Sequence, residues 1–170
     1  MSDPLARMDP IPSSAFVGAG VTISLAAPMA RFSLCTRQPL VLEQLLGCTL
    51  PRQIGVTDAG VACFGPDEWL LRAPAGTILA SAEGLPIAIT EVSERSVCLI
   101  VEGARAAHVV AAGCPLDLDR FAMGRATRTV FETVEIILLR SGEDRFEIEV
   151  WCSFAPWLRT ALETAAGQMR

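Results

Sequence analysis

Two stretches of this sequence carry the residue types best suited to chemistry, and the first is residues 65–71, which read GPDEWLL. Asp67 follows a Gly-Pro turn, and Trp69 heads an apolar strand two residues later. A carboxylate beside an apolar strand can have a raised pKa and act as a base, and an indole ring can stack on a pteridine or flavin. The more common roles of such residues are to cap a turn and to fill a core, so both interpretations stay open.

The second stretch is residues 91–95, which read EVSER. Glu91 and Arg95 flank a serine at a predicted connection between two strands, where ligand-binding residues are often found. The alternative is an ion pair between Arg95 and Glu91 or Glu94 that only holds the loop. The candidate pocket residues are therefore Asp67, Trp69, Glu91 and Arg95.

The remaining reactive residue types form no recognisable catalytic or metal site. The six cysteines lie 13 to 38 residues apart with no C-x-x-C pair, and the single histidine, His108, has no Cys–His motif with Cys114. We predict no metal site and treat the thiols as small buried hydrophobic groups. Lysine and tyrosine are absent, which excludes a Schiff-base lysine and a tyrosine acid. No Gly-x-Gly-x-x-Gly follows a strand, so FAD or NAD binding by that route is not predicted.

Composition excludes several classes of partner. The net charge is −5, and the basic residues are all arginines scattered along the chain, so we predict no nucleic-acid binding. No apolar run approaches the ~18 residues that span a bilayer, and the N-terminus lacks the pattern of a signal peptide. These features predict a cytoplasmic protein with reduced cysteines and no membrane contact. The mean hydropathy of +0.42 reflects either abundant alanine or a surface that a partner covers.

The segment 1–17 contains three prolines and no periodicity, so we predict a flexible arm followed by a single domain over residues 18–170. Helices are predicted at 39–46, 78–82 and 104–112, with Gly47 and Gly113 as the glycine stops of the first and third. A final helix is predicted with Ser153 as its N-cap. Its apolar stripe consists of Phe154, Trp157, Leu158, Ala161, Leu162 and Ala165. The predicted strands are 21–26, a hairpin within 56–71, 86–92, 96–101, 127–131, 134–139 and 145–151.

A faint internal repeat organises these elements. A shift of 66 residues places Leu34 on Ile100 and the Gly47-Cys48 pair on Gly113-Cys114. The turn before residue 68 is similarly echoed by the turn at Gly142. We therefore predict an α+β fold built from two pseudo-duplicated β-α-β-β-type halves, with antiparallel sheets and packed helices.

The order of these marks carries a family resemblance. Residues 65–71 are followed by 91–95, then by 113–118 (GCPLDL), and finally by Ser153-Phe154 at the start of a helix. Over residues 64–162 this series resembles the gamma subunit of heterotetrameric sarcosine oxidase. The resemblance implies a fold similar to the folate-binding domain of glycine-cleavage T-proteins. It also implies an aspartate where this chain has Glu91. That change is mild if the acid only holds the loop, and it puts the site in doubt if the acid binds a ligand at a fixed distance.

The resemblance implies a non-catalytic subunit that supports oxidative demethylation of sarcosine to glycine. Its partners would be alpha, beta and delta subunits, and the complex would use FAD, FMN, NAD and tetrahydrofolate on other subunits, with none bound by this chain alone. Expressed alone, the chain would associate into homo-oligomers through its uncovered surface.

The alternative hypothesis is a stand-alone folate-binding or aminomethyltransferase-like protein of the same fold. It would use Glu91 and Asp67 to hold a pterin and Trp69 to stack on it.

Overall fold

The computed structural model describes residues 10–168, which form two antiparallel sheets and three α-helices. The helices are α1 (Pro39–Leu46), α2 (Ala106–Ala111) and α3 (Ala155–Gln168), and a short 3-10 turn covers Ser93–Arg95. The strands are β1 (Phe16–Gly18), β2 (Val21–Leu25), β3 (Met29–Cys35), β4 (Thr57–Asp58), β5 (Val61–Gly65), β6 (Glu68–Pro74), β7 (Ala88–Glu91), β8 (Ser96–Glu102), β9 (Ala126–Phe131), β10 (Val134–Gly142) and β11 (Arg145–Trp151).

The two sheets lie face to face between layers of helix. The six-stranded sheet has the order β1-β2-β8-β11-β10-β9, and the five-stranded sheet has the order β4-β5-β6-β3-β7. One core joins the outer face of the six-stranded sheet to α2 and α3, and a second joins the five-stranded sheet to Leu42 of α1. A small third cluster, with Ala62, Ala126 and Leu139 at its centre, joins the two sheets. The predicted α+β fold with antiparallel sheets is confirmed.

The predicted duplication is visible in the topology. The unit β3-α1-β4-β5-β6 recurs as β8-α2-β9-β10-β11, with the same strand order around β3 and around β8. The strand before each unit crosses to the other sheet, because β2 pairs with β8 and β7 pairs with β3. Both hairpins also carry a register shift at their glycine, Gly65 in one half and Gly142 in the other. The two halves are therefore interlocked by an exchange of strands.

The alignment of the halves needs one correction. The shift of 66 residues relates Gly47 to Gly113, but β3 begins at Met29 and β8 at Ser96, so these strands align with a shift of 67. Leu34 therefore corresponds to Val101, and both side chains are fully buried. The hairpins β5-β6 and β10-β11 align with a shift of 77, because the connection after α2 is longer.

The helix 39–46 is confirmed, with Pro39 in its first turn and Gly47 in the left-handed region at φ 68°. The predicted helix 78–82 is wrong: this segment has no regular structure, because so short a segment cannot offset the cost of nucleating a helix. Gly113 follows α2 but is not left-handed. It is instead a site of close approach, since a Cβ there would lie 2.5 Å from Phe131 Cε1.

The final helix begins at Ala155, so Phe154 rather than Ser153 precedes it. Leu158 and Leu162 of the predicted stripe are buried, but the predicted Phe154 and Trp157 are substantially exposed. Their place in the interior is taken by Ala155, Arg159 and Ala166. The buried face is therefore rotated from the predicted one, and on it the guanidinium of Arg159 donates hydrogen bonds to backbone carbonyls of the N-terminal segment.

That N-terminal segment is packed where the structure describes it. Residues 1–9 of the predicted arm lie outside the described residues. From Pro10 onward, Ile11 is buried in the first core, and the carbonyls of Pro12 and Ser14 accept hydrogen bonds from Arg159. Strand β1 then pairs with β2. One buried side chain and a cationic donor thus attach this segment to the first core and to α3. Among residues 10–168, no helix has both the length and the apolar character needed to span a membrane.

Candidate ligand-binding cleft

Charged side chains of the two sheets meet in the interior of the molecule. Arg31 of β3 donates from Nε to Glu149 Oε2 of β11 at 2.7 Å, and both side chains are almost completely buried. Arg72 of β6 donates to Glu147 Oε2 at 2.6 Å and lies with its Nε 3.0 Å from Glu149 Oε1. The period-two pattern of β11 holds, but its polar face is not exposed, because the second sheet covers it. These ion pairs join one half of the duplicated fold to the other.

The charges in this network change the pKa values of their neighbours. Burial raises the pKa of the Glu147 carboxyl, but the hydrogen bond and the charge of Arg72 outweigh it and leave that pKa below its ordinary value. Burial raises the pKa of the Cys98 thiol far above its ordinary range, and the charge of Glu149 adds to this effect. Cys98 is therefore a neutral thiol in the interface and unsuited to nucleophilic chemistry.

A cleft of about 170 Å³ opens between the sheets at one end of this network. It contains both signs of charge, two serine side chains and apolar walls. Its lining residues are Arg31, Ser33, Trp69, Leu70, Val92, Arg95, Ser96, Arg128, Glu135, Ile137, Glu149 and Trp151. At its mouth the guanidinium of Arg95 lies 4.5 Å from the centre of the Trp151 ring. The arrangement can bind a small polar molecule, and it contains no group placed for nucleophilic attack.

The structure brings two of the four predicted pocket residues to this cleft, Trp69 and Arg95. The Trp69 side chain belongs to the second core, and its Nε1 donates to the carbonyl of Pro51 at 2.8 Å. Asp67 lies in the turn before β6, where its carbonyl accepts a hydrogen bond from Thr36 N. Ligand contact at these residues remains a prediction, and the burial of the indole in the core does not favour stacking on a pterin.

Glu91 is held by a local hydrogen-bond chain instead of pairing with Arg95 in the predicted way. Its Oε1 accepts a hydrogen bond from Ser93 Oγ at 2.7 Å, and Ser93 Oγ in turn accepts one from Arg31 N at 3.0 Å. The stretch 91–95 thereby fixes the backbone of β3 beside the cleft. This geometry fits a structural acid, for which glutamate in place of aspartate is a mild change.

Within residues 65–71, the acidic side chain that joins the two sheets is that of Glu68. Its carboxylate receives two hydrogen bonds from the terminal nitrogens of Arg128 on β9, one of them at 3.0 Å. These hydrogen bonds lower the pKa of Glu68 although burial opposes the change. Glu68 thus links β6 to the opposite sheet and positions Arg128 at the cleft.

Comparison with known proteins gives this arrangement a context. The sequence profile of the sarcosine oxidase gamma subunit family matches residues 26–168. The chain belongs to this family. It is 31% identical over 119 residues to the sarcosine oxidase subunit gamma of an Arthrobacter species, covering 63% of this chain and 59% of that relative. It is also 31% identical over 137 residues to the corresponding subunit of Corynebacterium sp. U-96, covering 71% and 67%. The match to the Arthrobacter relative thus spans less than two thirds of that protein.

Solved structures agree with the family assignment. A chain of the heterotetrameric sarcosine oxidase from Corynebacterium sp. U-96, in complex with pyrrole 2-carboxylate, superposes with a TM-score of 0.76 at 26% identity, covering 87% of this chain and 84% of that one. Aminomethyltransferase T of the glycine cleavage system from Bartonella henselae superposes with a TM-score of 0.64 at 19% identity, over 85% of this chain and 46% of that one. The second likeness shows the fold alone.

Four charged residues that line the cleft were not predicted from the sequence: Arg31, Arg128, Glu135 and Glu149. A signal for the first exists in β3, where Ala30, Phe32 and Leu34 alternate with Arg31 and Ser33 and so place two polar side chains on one face. The alternation does not reveal that this face meets a second sheet. The partner of Arg31 is 118 residues away in sequence, and no local pattern indicates it.

The surface beside the cleft carries an aromatic patch, which we define as Trp151, Phe154 and Trp157. Their side chains are 43%, 44% and 39% exposed, and the Trp151 and Phe154 rings lie 6.4 Å apart. Phe154 directly precedes α3, and Trp157 lies in the first turn of that helix. Large exposed aromatic groups of this kind are typical of protein interfaces.

Proposed function

We propose that this chain is the gamma subunit of a heterotetrameric sarcosine oxidase-like complex and that its role is structural. It supports the oxidative demethylation of sarcosine to glycine, which the alpha and beta subunits carry out beside a delta subunit. FAD, FMN, NAD and tetrahydrofolate bind to the other subunits, and the complex is cytoplasmic. The observation that carries the proposal is the likeness to a chain of the solved heterotetramer over 87% of this chain.

Two features of the molecule support a structural role. Six charged residues join the two sheets, in the pairs Arg31–Glu149, Arg72–Glu147 and Glu68–Arg128. The aromatic patch offers a surface for a partner, because tryptophan is enriched among the residues that dominate binding energy.

All six cysteines are free thiols, which suits a reducing compartment.

Affinity purification of the tagged full chain from its native cells tests the proposal. We expect two large flavin-bearing chains and one small chain to co-elute, detected by mass spectrometry and flavin absorbance, and the isolated chain to be colourless. Recovery of the chain alone would contradict the subunit role. Folate binding by that chain, lost in Glu91→Ala, would support the stand-alone alternative.

The aromatic patch provides a sharper version of this experiment. The double variant F154S/W157S removes two exposed apolar rings, and we expect at least about a tenfold loss of co-eluting partner because hot-spot residues contribute 2 kcal/mol or more each. The matched control is Leu40→Ser, which removes an exposed apolar side chain from α1 at another part of the surface. Equal losses in both variants would contradict an interface at the patch.

A further inference from the structure

One edge of the five-stranded sheet lacks a strand that the equivalent edge of the other sheet has. Strands β2 and β7 occupy equivalent places, because β2 pairs with β8 and β7 pairs with β3. The registers align Ile23 with Ile89, since Ile23 lies opposite Val101 and Ile89 lies opposite its counterpart Leu34. Strand β1 lies beyond β2, whereas no strand within residues 10–168 lies beyond β7.

The outer edge of β7 presents backbone groups that can pair with another strand. In an antiparallel ladder, alternate residues direct their N–H and C=O groups toward the same neighbour. Val92 N donates to Arg31 O at 2.8 Å, so the backbone groups of Ile89 and Glu91 point away from β3. In the other half, the equivalent Ile23 pairs with Phe16 of β1. The same backbone positions therefore pair with a strand in one half and lie at an open edge of the described structure in the other, where they form a template for strand addition.

A groove of about 490 Å³ lies beside this edge. Phe32 and Ile89, which lie on one face of the sheet, form part of its lining, and residues 77–83 form another wall. In the other half, Phe16 packs against the first core from its position opposite Ile23. A side chain opposite Ile89 would enter the groove in the same way. The groove therefore has the place of a side chain that β1 supplies to the other half.

The charge of the groove is acidic. Glu83 and Glu91 line it, and none of the described residues in its lining is basic. In an antiparallel strand added beside β7, the residue two positions before the one opposite Ile89 lies opposite Glu91. A basic side chain there is attracted to the carboxylate, and an acidic one is repelled. A second copy of β7 would bring its own Glu91 to this edge, which disfavours pairing between two copies of the chain.

We propose that β7 accepts an extended segment of a partner protein as an added antiparallel strand. The segment has a large apolar side chain opposite Ile89 and, two positions earlier, a basic side chain opposite Glu91. Main-chain hydrogen bonds supply the affinity, and the groove supplies the specificity. The added strand would also cover Ile78 in the groove wall, whose side chain is 92% exposed. The inference rests on the proposed function only for the source of the segment, which is another subunit of the complex.

Strand β1 provides a probe, because it occupies the equivalent place in the other half. The probe is a synthetic peptide of residues 12–18 (PSSAFVG) with the change Ser14→Arg, two positions before Phe16. NMR spectra of the isotopically labelled full chain, recorded during titration with this peptide, report on each backbone amide. We expect saturable shifts at the amides of Ile89 and Glu91, with a Kd of about 1 mM or tighter. Absence of these shifts at about five times that concentration would overturn the proposal, and so would shifts confined to Ile23 and its neighbours, which would mean displacement of β1.

Matched changes test the role of charge. A peptide with Ser14→Glu is expected to bind about fivefold more weakly than the Ser14→Arg peptide, because a like pair replaces an opposite one. In the chain variant Glu91→Gln we expect this difference to fall to about twofold or less. The control variant is Glu143→Gln, which removes an exposed acid from the turn before β11 and is expected to leave the difference unchanged. An equal difference in both variants would overturn the role of Glu91.

The occupant and its source are tested separately. Shifts at Ile89 on dilution of the chain without peptide would mean that a second copy pairs with β7, and they would overturn the assignment to a partner protein. The titration uses the isolated chain, so its failure leaves the subunit role to be decided by the co-purification experiment. Failure of the co-purification would likewise leave the strand-binding edge to be decided by the titration.

Discussion

The two halves of this molecule share a backbone plan but contribute opposite charges to the centre of the interface between them, while the pair Glu68–Arg128 has the reverse arrangement. The first half supplies Arg31 and Arg72, and the second supplies Glu147 and Glu149. The counterpart of Arg31 is Cys98, and the counterpart of Arg72 is Glu149, so equivalent positions carry different chemistry. The two halves are related by a pseudo-two-fold axis. The strand pairing follows this symmetry, but the side chains that face each other across the axis do not.

This difference follows from the position of these residues. Residues near a two-fold axis meet their own counterparts, so identical halves would bring like charges together in a buried place, where their repulsion is strongest. Opposite charges convert the same contact into attraction. Asymmetry at the axis therefore stabilises the pairing of the halves, and it leaves one end of the interface polar enough to form the cleft lined by Arg31 and Arg95.

The largest effect is expected from Glu149→Gln. This variant leaves Arg31 and Arg72 with one fewer anionic partner in a buried site, and breaking a buried pair costs about 3–5 kcal/mol. The measurement is the free energy of unfolding in urea. The control is Glu102→Gln, which breaks an exposed pair with Arg145 and is expected to cost no more than about 1 kcal/mol. Similar losses in the two variants would show that the interface does not depend on its buried charges.

The glycine after the first helix of each half provides the next test. Gly113→Ala places a Cβ against the Phe131 ring and is expected to cost about 1–3 kcal/mol. Gly47→Ala has open space around it but forces alanine into the left-handed region, at a cost of about 1–2 kcal/mol. The expected losses of stability overlap, so the single variants do not separate the two causes. A double-mutant cycle with a neighbouring residue does.

Phe131→Leu separates the two causes. Combined with Gly113→Ala it is expected to show an interaction energy of about 1 kcal/mol, because the smaller side chain relieves the contact. Combined with Gly47→Ala it is expected to be additive. Additivity in both pairs would mean that Gly113 is required for its backbone conformation, as the sequence had suggested, and not for close packing.

Helices and strands were predicted well where the residues that determine them lie within one short segment. The helix 39–46 was predicted to the residue because proline and glycine mark its ends, and β11 was predicted because its apolar residues alternate. The duplication was also detectable, since Gly-Cys follows the first helix of both halves. Each of these features depends on neighbours in sequence.

The cleft was harder to predict because it is formed by residues that are distant in sequence and meet only in the folded chain. The sequence shows that Glu147 and Glu149 lie on one face of β11, but not that a second sheet covers that face. Trp69 was placed among the candidates by its residue type, although its ring fills the core under α1. Arg128 became part of the cleft only through Glu68, 60 residues earlier in the chain.

A smaller effect on stability is expected from a change of pH. It allows the more buried pair Arg72–Glu147 to be compared with the more exposed pair Glu68–Arg128. The pKa values of Glu68 and Glu147 are both below the ordinary 4.5 in the folded chain. Their stabilisation is therefore complete above about pH 4.5, and it is lost as the pH falls through the lower folded values, because the unfolded chain then binds more protons. Urea unfolding between pH 7 and pH 3 measures this loss.

The two carboxylates are distinguished by their glutamine variants. Glu147→Gln removes the more buried partner, so we expect it to flatten the acid limb of the stability curve more than Glu68→Gln does, since exposed pairs are screened. The same variants in about 1 M salt provide a control, because only the Glu68 contribution should weaken substantially. Equal sensitivity to salt would mean that both pairs are effectively at the surface.

The smallest effect concerns the thiols on the two sides of the interface. Cys35 at the end of β3 is exposed, whereas Cys98, the counterpart of Arg31, is buried with a raised pKa. Because the thiolate is the reactive species, iodoacetamide at pH 8 should label Cys35 rapidly and Cys98 only after unfolding, as followed by mass spectrometry. Cys35→Ser should remove the rapid labelling at that position and leave Cys98 protected. Rapid labelling of Cys98 in that variant would mean that the sheets separate in the folded chain, and the ion pairs would then be too weak to hold the two halves together.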